Sequence, residues 1–428
     1  MDHRTASTGG ISRRQLVRTG AALSAAGLVG SLSPRGVYAA GSDTIKLGLI
    51  GCGGRGSGAL ADCISSNQGV QLHALADLFG DKVEGQAAGY AKKGPAYACP
   101  KERCFSGWDA YKKVLDSGVD LVILATPPGF RPLHIRAAAE AGKNIFAEKP
   151  VAVDPAGCRM VMDAAKIIDE KKLGFVAGTQ RRHTAAYVET LNRIHDGALG
   201  DLVAGQCYWN QGGLWVRQKA AGMSDTEWQV RNWLYFTWLS GDHIVEQHVH
   251  QIDVMNWAMG GPPVSAYGMG GRQARTSPNC GHIWDHFAIE YVYKNGARVM
   301  SMCRQIDQTE GRVAQNVQGT KGSSNCEGVI LGANAWKHEG GGGRRSLGGT
   351  QLEHVDLIES IRSGKPLNEA QRIAETTLTA VMGRMSAYCG RTVTWDQAIK
   401  SKLDLMPKTL EFGPMPTPPV ASGHDPLV

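Results

Sequence analysis

Several features that mark particular classes of protein are missing from this 428-residue sequence. Its ten cysteines include no Cys-x-x-Cys pair, so their spacing suggests no structural zinc site. No internal repeat is found, and lysine and arginine do not cluster beyond "GRRS", which argues against a nucleic-acid partner. With 42% hydrophobic and 20% charged residues, the chain is long enough to fold into two or three domains around a substantial core.

The first forty residues have the layout of an export signal. "SRRQLVRTG" places paired arginines before the mild apolar stretch "AALSAAGLVGSL", and "SPRGVYAA" offers small residues for cleavage near Ala39 or Ala40. This order of regions is typical of a twin-arginine signal, and the apolar stretch is too short to span a bilayer. We therefore predict that residues 1–40 are removed and that the protein is periplasmic or otherwise exported. Residues 1–39 carry five arginines and one aspartate, so the mature net charge falls from +7 to +3.

From Thr44 onward, apolar runs of strand length alternate with helical patterns. The runs are "TIKLGLIG", "VQLHALAD", "VDLVILATPP", "NIFAEKP" and "LGFVAGTQ". Strands that are apolar throughout and alternate with helices indicate a parallel sheet covered on both faces. We therefore predict an α/β fold that starts with a doubly wound domain over residues 43–180.

After residue 180 the pattern changes to that of antiparallel strands. "DHFAIEYVYKNGARVMSMCRQ" alternates on either side of Asn295-Gly296, a strong hairpin signal, and "RVAQNVQGTKGSSNCEGVILG" suggests a second hairpin. Two helical patterns follow a glycine-rich loop. Residues 181–428 are therefore predicted to form an α+β domain with a large open, mostly antiparallel sheet and C-terminal helices.

A dinucleotide site is predicted in the loop "GLIGCGGRGSG", which has the pattern G-x-G-x-x-G between a strand and a helix. Glycines allow a tight turn and a close approach of the backbone to a pyrophosphate at the helix N-terminus. Asp77, at the end of the next strand, is placed to bind a ribose 2′-hydroxyl and to repel a 2′-phosphate, which favours NAD over NADP. Arg55 could compensate such a phosphate, so NADP stays open. The loop residues predicted to bind the cofactor are Gly51, Gly53, Gly54, Arg55 and Gly56.

Further cofactor contacts are expected at the carboxyl ends of two later strands, where ligands bind in such folds. Thr126 and Pro127 follow one strand, and Glu148 and Lys149 end another. His134 is a further candidate, although it could instead pack the following helix. Lys149 closes an apolar run with a charge followed by a proline, which indicates that the end of the strand is used.

A second group of polar residues lies in "SGDHIVEQHVHQIDVMNW", residues 240–257. On one continuous helix, His243, Glu246 and His250 would share a face with Asp253 and Trp257. A carboxylate one turn from an imidazole can hold its tautomer and raise its basicity, as general base catalysis requires.

The glycine loop, "AEKP" and the pattern E-x-x-x-H-x-x-D resemble the Gfo/Idh/MocA oxidoreductase family over essentially the whole mature chain. The resemblance implies a Rossmann NAD-binding domain and a second domain that carries the open sheet. It implies that Lys149 contacts the reacting hydroxyl, that His250 accepts the proton, and that Glu246, where Asp is usual, completes the site. A cis bond before Pro150 and a homo-oligomer, dimer or tetramer, are also implied.

The implied reaction is hydride transfer from a hydroxyl-bearing carbon of a sugar, glycoside or polyol to NAD. Arg181 and Arg182, which follow the last parallel strand, could bind substrate hydroxyls or an acid group, or could pair across the domain junction. Trp209, Trp215, Trp233 and Trp238 offer aromatic planes for sugar rings, although most tryptophans are core residues. Trp209, Trp233 and His243 complete the predicted substrate site with the two arginines.

Alternatives stay open at this point. An exported enzyme has no NAD pool to exchange with, so the cofactor is expected to be retained and recycled, either with a second substrate or in a redox-neutral glycosidase or lyase that forms a transient keto-sugar. In that case His250, His243 or Tyr208 could remove the C–H proton. A metal-dependent hydrolase that uses the histidine-rich segment, and a nucleotide-binding sensor, are rivals; we predict no metal. Cys99 and Cys104 could be bridged or free.

Overall fold

The computed structural model describes residues 44–340 and 346–427. The predicted signal, residues 1–40, lies outside the described residues. No helix in these two ranges combines the length and the apolar character needed to cross a membrane.

The first sheet is built from the predicted apolar runs, and all of its strands are parallel. Its strands are Ile45–Ile50 (β1), Val70–Asp77 (β2), Cys104–Ser106 (β3), Leu121–Leu124 (β4), Asn144–Ala147 (β5) and Phe175–Ala177 (β6). Their order is β3-β2-β1-β4-β5-β6, so the winding direction changes between β1 and β4. Ligands bind at such a switch point, beyond the carboxyl ends of the strands. The predicted doubly wound sheet is confirmed. The three-residue β3 is too short to leave an apolar pattern, and the sequence does not predict it.

Helices connect these strands and cover both faces of the sheet. They are Gly54–Ser66 (α1), Gly80–Ala91 (α2), Ala110–Asp116 (α3), Arg131–Glu140 (α4) and Pro155–Glu170 (α5). Helix α5 begins as a capped helix should: the Asp154 side chain accepts a hydrogen bond from the Gly157 amide, and Pro155 occupies the first helical position. The peptide bond between Lys149 and Pro150 is cis.

The second sheet has nine strands and is mostly antiparallel, as predicted. Its strands are Leu202–Gln211 (β7), Ser265–Gly271 (β8), His286–Val292 (β9), Arg298–Gln305 (β10), Arg312–Gly319 (β11), Gly322–Ser324 (β12), Val329–Gly332 (β13), Trp336–Lys337 (β14) and Val393–Thr394 (β15). Their order is β14-β13-β12-β11-β7-β10-β9-β8-β15, and only β7 and β10 pair in parallel. Strands β9 and β10 form the hairpin predicted at Asn295-Gly296. The second predicted hairpin continues into a three-stranded meander, β11 to β13.

The helices of the second half of the chain correct one prediction. They are Ala185–His195 (α6), Asp225–Arg231 (α7), Thr237–Ser240 (α8), His243–Glu246 (α9), Val249–Met259 (α10), Gly349–Arg362 (α11), Ala370–Cys389 (α12) and Trp395–Lys400 (α13). The prediction of a single helix across residues 240–257 is wrong, because the helix ends at Glu246 and a second one begins at Val249. Residues separated by this break do not keep the spacing of one helical face.

Helix α11 packs on the first sheet although it follows the second in sequence. Leu357, Ile358 and Ile361 belong to the same buried cluster as Ile45 and Leu47 of β1. The core of the nucleotide domain is therefore completed by a segment well beyond residue 180.

Candidate active site

The glycine loop joins β1 to α1, and its backbone geometry requires glycine at two positions. Gly51 has φ +105°, and a Cβ there would lie 2.6 Å from the main-chain carbon of Ala125. A Cβ at Gly56 would lie 2.0 Å from the Gly51 carbonyl oxygen. Above Gly53 and Gly54, in contrast, no atom lies within 4 Å of the Cβ position, so the space over the N-terminus of α1 is open. This open space beside unpaired helix amides fits a pyrophosphate.

Asp77 ends β2 and lies against the glycine loop. Its carboxylate accepts hydrogen bonds from the Cys52 amide at 2.8 Å and the Phe79 amide at 3.1 Å. The residue is buried and lines a pocket that also contains Gly51, Gly53, Thr126 and Pro127. The predicted acid and the predicted loop therefore share one pocket.

His134 faces the same pocket from α4. Its Nδ1 lies 3.2 Å from Oγ1 of Thr126, and its ring packs 4.5 Å from the Tyr111 ring. Burial lowers the pKa of His134 to about 3, so the ring is neutral at ordinary pH. His134 thus both packs the helix and lines the pocket.

The remaining walls of this pocket come from distant parts of the chain. Phe79, Trp108 and Phe130 belong to the first sheet's layer, Trp233 comes from the segment after α7, and Leu410 comes from the C-terminal segment. Trp233, which the sequence assigns to the substrate, therefore lies in the wall of the nucleotide pocket instead. The C-terminal Phe412 ring also lies 5.2 Å from the Trp108 ring and 6.0 Å from the Phe79 ring.

Arg55 connects the glycine loop to the end of β5. Its Nε donates a hydrogen bond to Glu148, and Nη2 lies 3.3 Å from Oε1 of Glu353 on α11. Glu353 is fully buried, and burial raises its pKa well above the ordinary value, with the nearby charge of Glu148 acting in the same direction. No sequence motif identifies Glu353 as part of this site. It lies on α11, far along the chain from the "AEKP" element, and it contacts that element only through Arg55.

Lys149 meets Glu246 at the junction of the two sheets' layers. Its Nζ lies 3.1 Å from Oε1 of Glu246 and 2.6 Å from the main-chain oxygen of the same residue. The second carboxylate oxygen of Glu246 accepts from the Gln247 side-chain amide. The expected orientation of the His250 ring by Glu246 is therefore wrong: no hydrogen bond joins them, because the break after Glu246 removes the spacing on which it depends.

His250 lies near the start of α10 and is almost fully buried. Its ring stacks on Trp209 of β7, with centroids 5.4 Å apart and an interplanar angle of 20°. Burial is the main cause that lowers the pKa of His250 well below its ordinary value, and the positive charges of Lys149, Arg181 and Arg55 lower it further. The imidazole is therefore neutral near pH 7 and able to accept a proton.

The comparisons with known proteins agree with this geometry. Residues 45–172 match the NAD-binding Rossmann fold domain of the Gfo/Idh/MocA oxidoreductase family, and residues 187–325 match the C-terminal domain of the same family. This chain belongs to the Gfo/Idh/MocA family.

Relatives and solved structures are also similar to this chain. An uncharacterized oxidoreductase of Streptococcus pneumoniae is 27% identical over 291 residues, which cover 67% of this chain and 71% of the relative. Inositol 2-dehydrogenase 3 of Saccharopolyspora erythraea is 25% identical over 257 residues, or 60% of this chain and 65% of that one. The crystal structure of the WlbA dehydrogenase from Bordetella pertussis, in complex with NADH and UDP-GlcNAcA, has a TM-score of 0.63 at 20% identity and covers 82% of this chain and 98% of that one. The predicted family, fold and NAD-binding domain are confirmed.

The two arginines after β6 have different surroundings. Arg182 binds Asp253 through Nε at 2.8 Å and Nη2 at 3.0 Å, and its guanidinium lies 4.6 Å from the Trp257 ring centroid. Asp253 also accepts from Arg372 and from the Thr376 hydroxyl. Asp253 follows His250 by three residues on α10, as the sequence suggests, but its carboxylate pairs with these two arginines. Arg182 is a junction residue rather than a substrate ligand.

The histidines of the "DHIVEQHVH" segment contact different partners. Nε2 of His243 lies 3.4 Å from the Trp209 carbonyl oxygen, while Nε2 of His248 lies 2.7 Å from the Ser301 hydroxyl. Within residues 44–340 and 346–427, no three His, Cys, Asp or Glu side chains come together as metal ligands would.

Three other sequence expectations concern aromatic residues and cysteines. Tyr208 points to the opposite face of β7 from Trp209, where Arg312 lies 4.1 Å from its ring, so its assignment as a C–H base is wrong. Trp238 is a core residue and Trp215 is 42% exposed. Cys99 and Cys104 are free, with sulfur atoms 3.8 Å apart.

Proposed function

We propose that this chain is an NAD-dependent dehydrogenase that oxidises a hydroxyl group of a sugar, glycoside or polyol. The observation that carries the proposal is the approach of a lysine from the first sheet and a neutral histidine from α10. The charge of Lys149 is close enough to His250 to lower the pKa of the imidazole, and Lys149 follows β5 at the carboxyl edge of the first sheet, where ligands bind in such folds. The similarity to an inositol 2-dehydrogenase supports a polyol or sugar as the substrate class.

The roles of the two side chains follow from their protonation and position. His250, neutral and buried, accepts the proton of the substrate hydroxyl. Lys149 donates a hydrogen bond to the same oxygen and stabilises the negative charge that develops on it. Bound nicotinamide supplies the hydride acceptor. Glu246 fixes the position of Lys149, because its carboxylate and its main-chain oxygen both accept hydrogen bonds from the Nζ of the lysine.

The proposal includes a cofactor that is retained between turnovers. Trp233 and Val230 from the second half of the chain, with Leu410 from the C-terminal segment, enclose the pocket that contains Asp77. Two hydrogen bonds from α7 hold the C-terminal segment in place. The Thr226 amide donates to the Gly413 oxygen at 3.2 Å, and the Gln229 side chain donates to the Met415 oxygen at 2.7 Å. The twin-arginine pattern adds a reason for retention, since an exported enzyme has no NAD pool to exchange with.

A homo-oligomer that covers the open face of the second sheet also belongs to the proposal. Large apolar side chains on this face are 51–62% exposed: Tyr267, Met269 and Leu331. Exposed apolar side chains on one sheet face are typical of an interaction surface.

A redox-neutral glycosidase or lyase is a second candidate, and His243 favours it. Burial lowers the pKa of His243 to about 4, and its Nδ1 has no hydrogen-bond partner within the described residues. A second neutral imidazole beside Trp209 could remove a proton from the carbon next to a transient ketone.

The test uses the purified chain as isolated. We expect nicotinamide dinucleotide to be purified together with the chain, as detected by mass spectrometry after denaturation, and candidate sugars and polyols to produce the near-ultraviolet band of reduced nicotinamide. A redox-neutral reaction would instead release the leaving group of an aryl glycoside and incorporate solvent deuterium without net reduction. A chain that neither contains nor takes up NAD would refute both forms.

A further inference from the structure

Arg181 is a cation with no counter-charge in the wall of the proposed site. It lies on the turn Gln180–His183 that follows β6, and its guanidinium carbon is 5.7 Å from the Trp209 ring centroid and 5.8 Å from that of Tyr187. Its Nη1 is buried and has no hydrogen-bond partner among the residues that the structure describes. No carboxylate in those same residues lies within ion-pair distance of it.

The cations around His250 differ in whether a carboxylate pairs with them. Three of them are close enough to lower the pKa of its imidazole: Lys149, Arg181 and Arg55. Lys149 is balanced by Glu246, and Arg55 by Glu148. Arg181 alone among the three has no such partner in the described chain. A buried charged donor without a partner is unfavourable, so a ligand that supplies an anion would relieve it.

Trp209 connects this arginine to the proposed base. The same indole that lies beside Arg181 stacks on His250. Two residues along β7, Nε2 of Gln211 is a second buried donor without a partner in the described residues, while its Oε1 accepts from Trp209 Nε1 at 2.6 Å. Spare donors therefore lie at two places beside the Trp209 indole, one near its ring centroid and one at its Nε1 edge.

We propose that the substrate is an acidic sugar, such as a hexuronate or an aldonate, and that Arg181 binds its carboxylate. The inference rests on the proposed dehydrogenase function and specifies its substrate class. A carboxylate fits better than a phosphate, because one guanidinium balances the single charge of a carboxylate, whereas a phosphate monoester carries about two. Arg181 is a binding residue here and takes no part in proton transfer.

The test compares matched substrates with the holoenzyme. Glucuronate and galacturonate are compared with glucose and galactose, with the two uronamides, which keep the shape but lose the charge, and with the 6-phosphates. We expect a uronate to have the lowest KM. Arg181→Gln should raise that KM about 10- to 100-fold with little change in kcat, because a charge-assisted bond to the ground state and transition state alike is lost. Arg181→Lys should restore part of the affinity, and the KM for uronamides should not change.

Other results would overturn the inference and leave the dehydrogenase proposal in place. These are neutral sugars preferred over uronates, 6-phosphates preferred over uronates, or equal effects of Arg181→Gln on charged and neutral substrates. Loss of bound nucleotide from Arg181→Gln would assign the arginine to the cofactor and also overturn it. If no compound reduces the cofactor, the dehydrogenase proposal fails in this form. Quenching of tryptophan fluorescence by uronates then tests the inference. The inference is supported if uronates quench the fluorescence of the wild type but not that of Arg181→Gln, and it is overturned if they quench neither protein.

Discussion

The Nζ atom of Lys149 lies 3.1 Å from Oε1 of Glu246 and 2.6 Å from its main-chain oxygen, and so joins the end of β5 to the end of α9. The two side chains are only 11% and 7% exposed. Glu246 therefore holds the lysine rather than the histidine four residues later. Charge on both partners matters, because a nearly buried ion that loses its partner is strongly destabilising.

Replacing Lys149 should stop the reaction without releasing the cofactor. Lys149→Met keeps the side-chain volume and removes the ammonium, so the developing negative charge on the substrate oxygen loses its main donor. We expect turnover to fall roughly 10²- to 10³-fold or more, with unchanged nucleotide content by mass spectrometry. Lys166→Ala, at a side chain that is 71% exposed, is the control. Unchanged turnover in Lys149→Met would contradict the assignment.

The pH profile should report a histidine that resists protonation. An ordinary histidine titrates near 6.5, whereas burial places the pKa of His250 well below that value. As the pH falls from 7, the base therefore stays neutral past 6.5, and kcat/KM should decline only at more acid pH. Steady-state rates over a pH series measure this limb. A half-maximal point at or above 6.5 would mean that the base is exposed or is another group.

Substitution of Asp77 should weaken NAD binding and should also remove the discrimination against NADP. The carboxylate holds the Cys52 and Phe79 amides and is placed for the ribose, so Asp77→Ala loses several hydrogen bonds and a repulsive charge. We expect NAD affinity of the apo-protein to fall about 10-fold or more by calorimetry. Asp109→Ala, at a 71% exposed side chain, should have no effect. Tighter binding of NADP than NAD by the unmodified protein would overturn the cofactor assignment.

Shortening Leu410 should speed the loss of bound cofactor. This side chain lines the nucleotide pocket from the C-terminal segment, and Leu410→Ala removes apolar contact there. Loss of roughly 1–2 kcal/mol of apolar contact corresponds to about a 5- to 30-fold faster release, measured by displacement of the nucleotide with excess labelled NAD. Val420→Ala, at an exposed position further along the segment, serves as control. Equal release rates for the three proteins would show that the segment does not retain the cofactor.

Substitutions of Arg181 and Arg182 should differ in their effect on the free energy of unfolding. Arg182 and Asp253 form a nearly buried pair, so Arg182→Gln leaves a carboxylate with only Arg372 to balance it. We expect the free energy of unfolding in urea to fall by about 3 kcal/mol. Arg181→Gln removes no described ion pair and should change it by less than about 1 kcal/mol. A similar loss in both variants would mean that Arg181 has a structural role.

Much of the fold could be predicted because its signals are local. Five of the six parallel strands are short apolar runs bounded by polar residues, and Gly56 is required because a Cβ there would meet the Gly51 carbonyl oxygen of the same turn. Asp77 could be placed because it ends the next strand and β1 and β2 are neighbours. Lys149 could be placed because strand ends meet at one edge of a parallel sheet.

The partners of the site residues depend on contacts between distant segments, which no spacing encodes. Glu246 binds Lys149 instead of orienting His250 because the chain breaks at Gln247 and His248, within a stretch whose pattern suits a continuous helix. Glu353 reaches Arg55 only because α11 returns to the first sheet, and Leu410 and Trp233 enclose the nucleotide pocket for the same reason. The motifs therefore identify which residues carry the chemistry, whereas packing determines their neighbours, charge balance and protonation, since these depend on burial and on side chains far away in the chain.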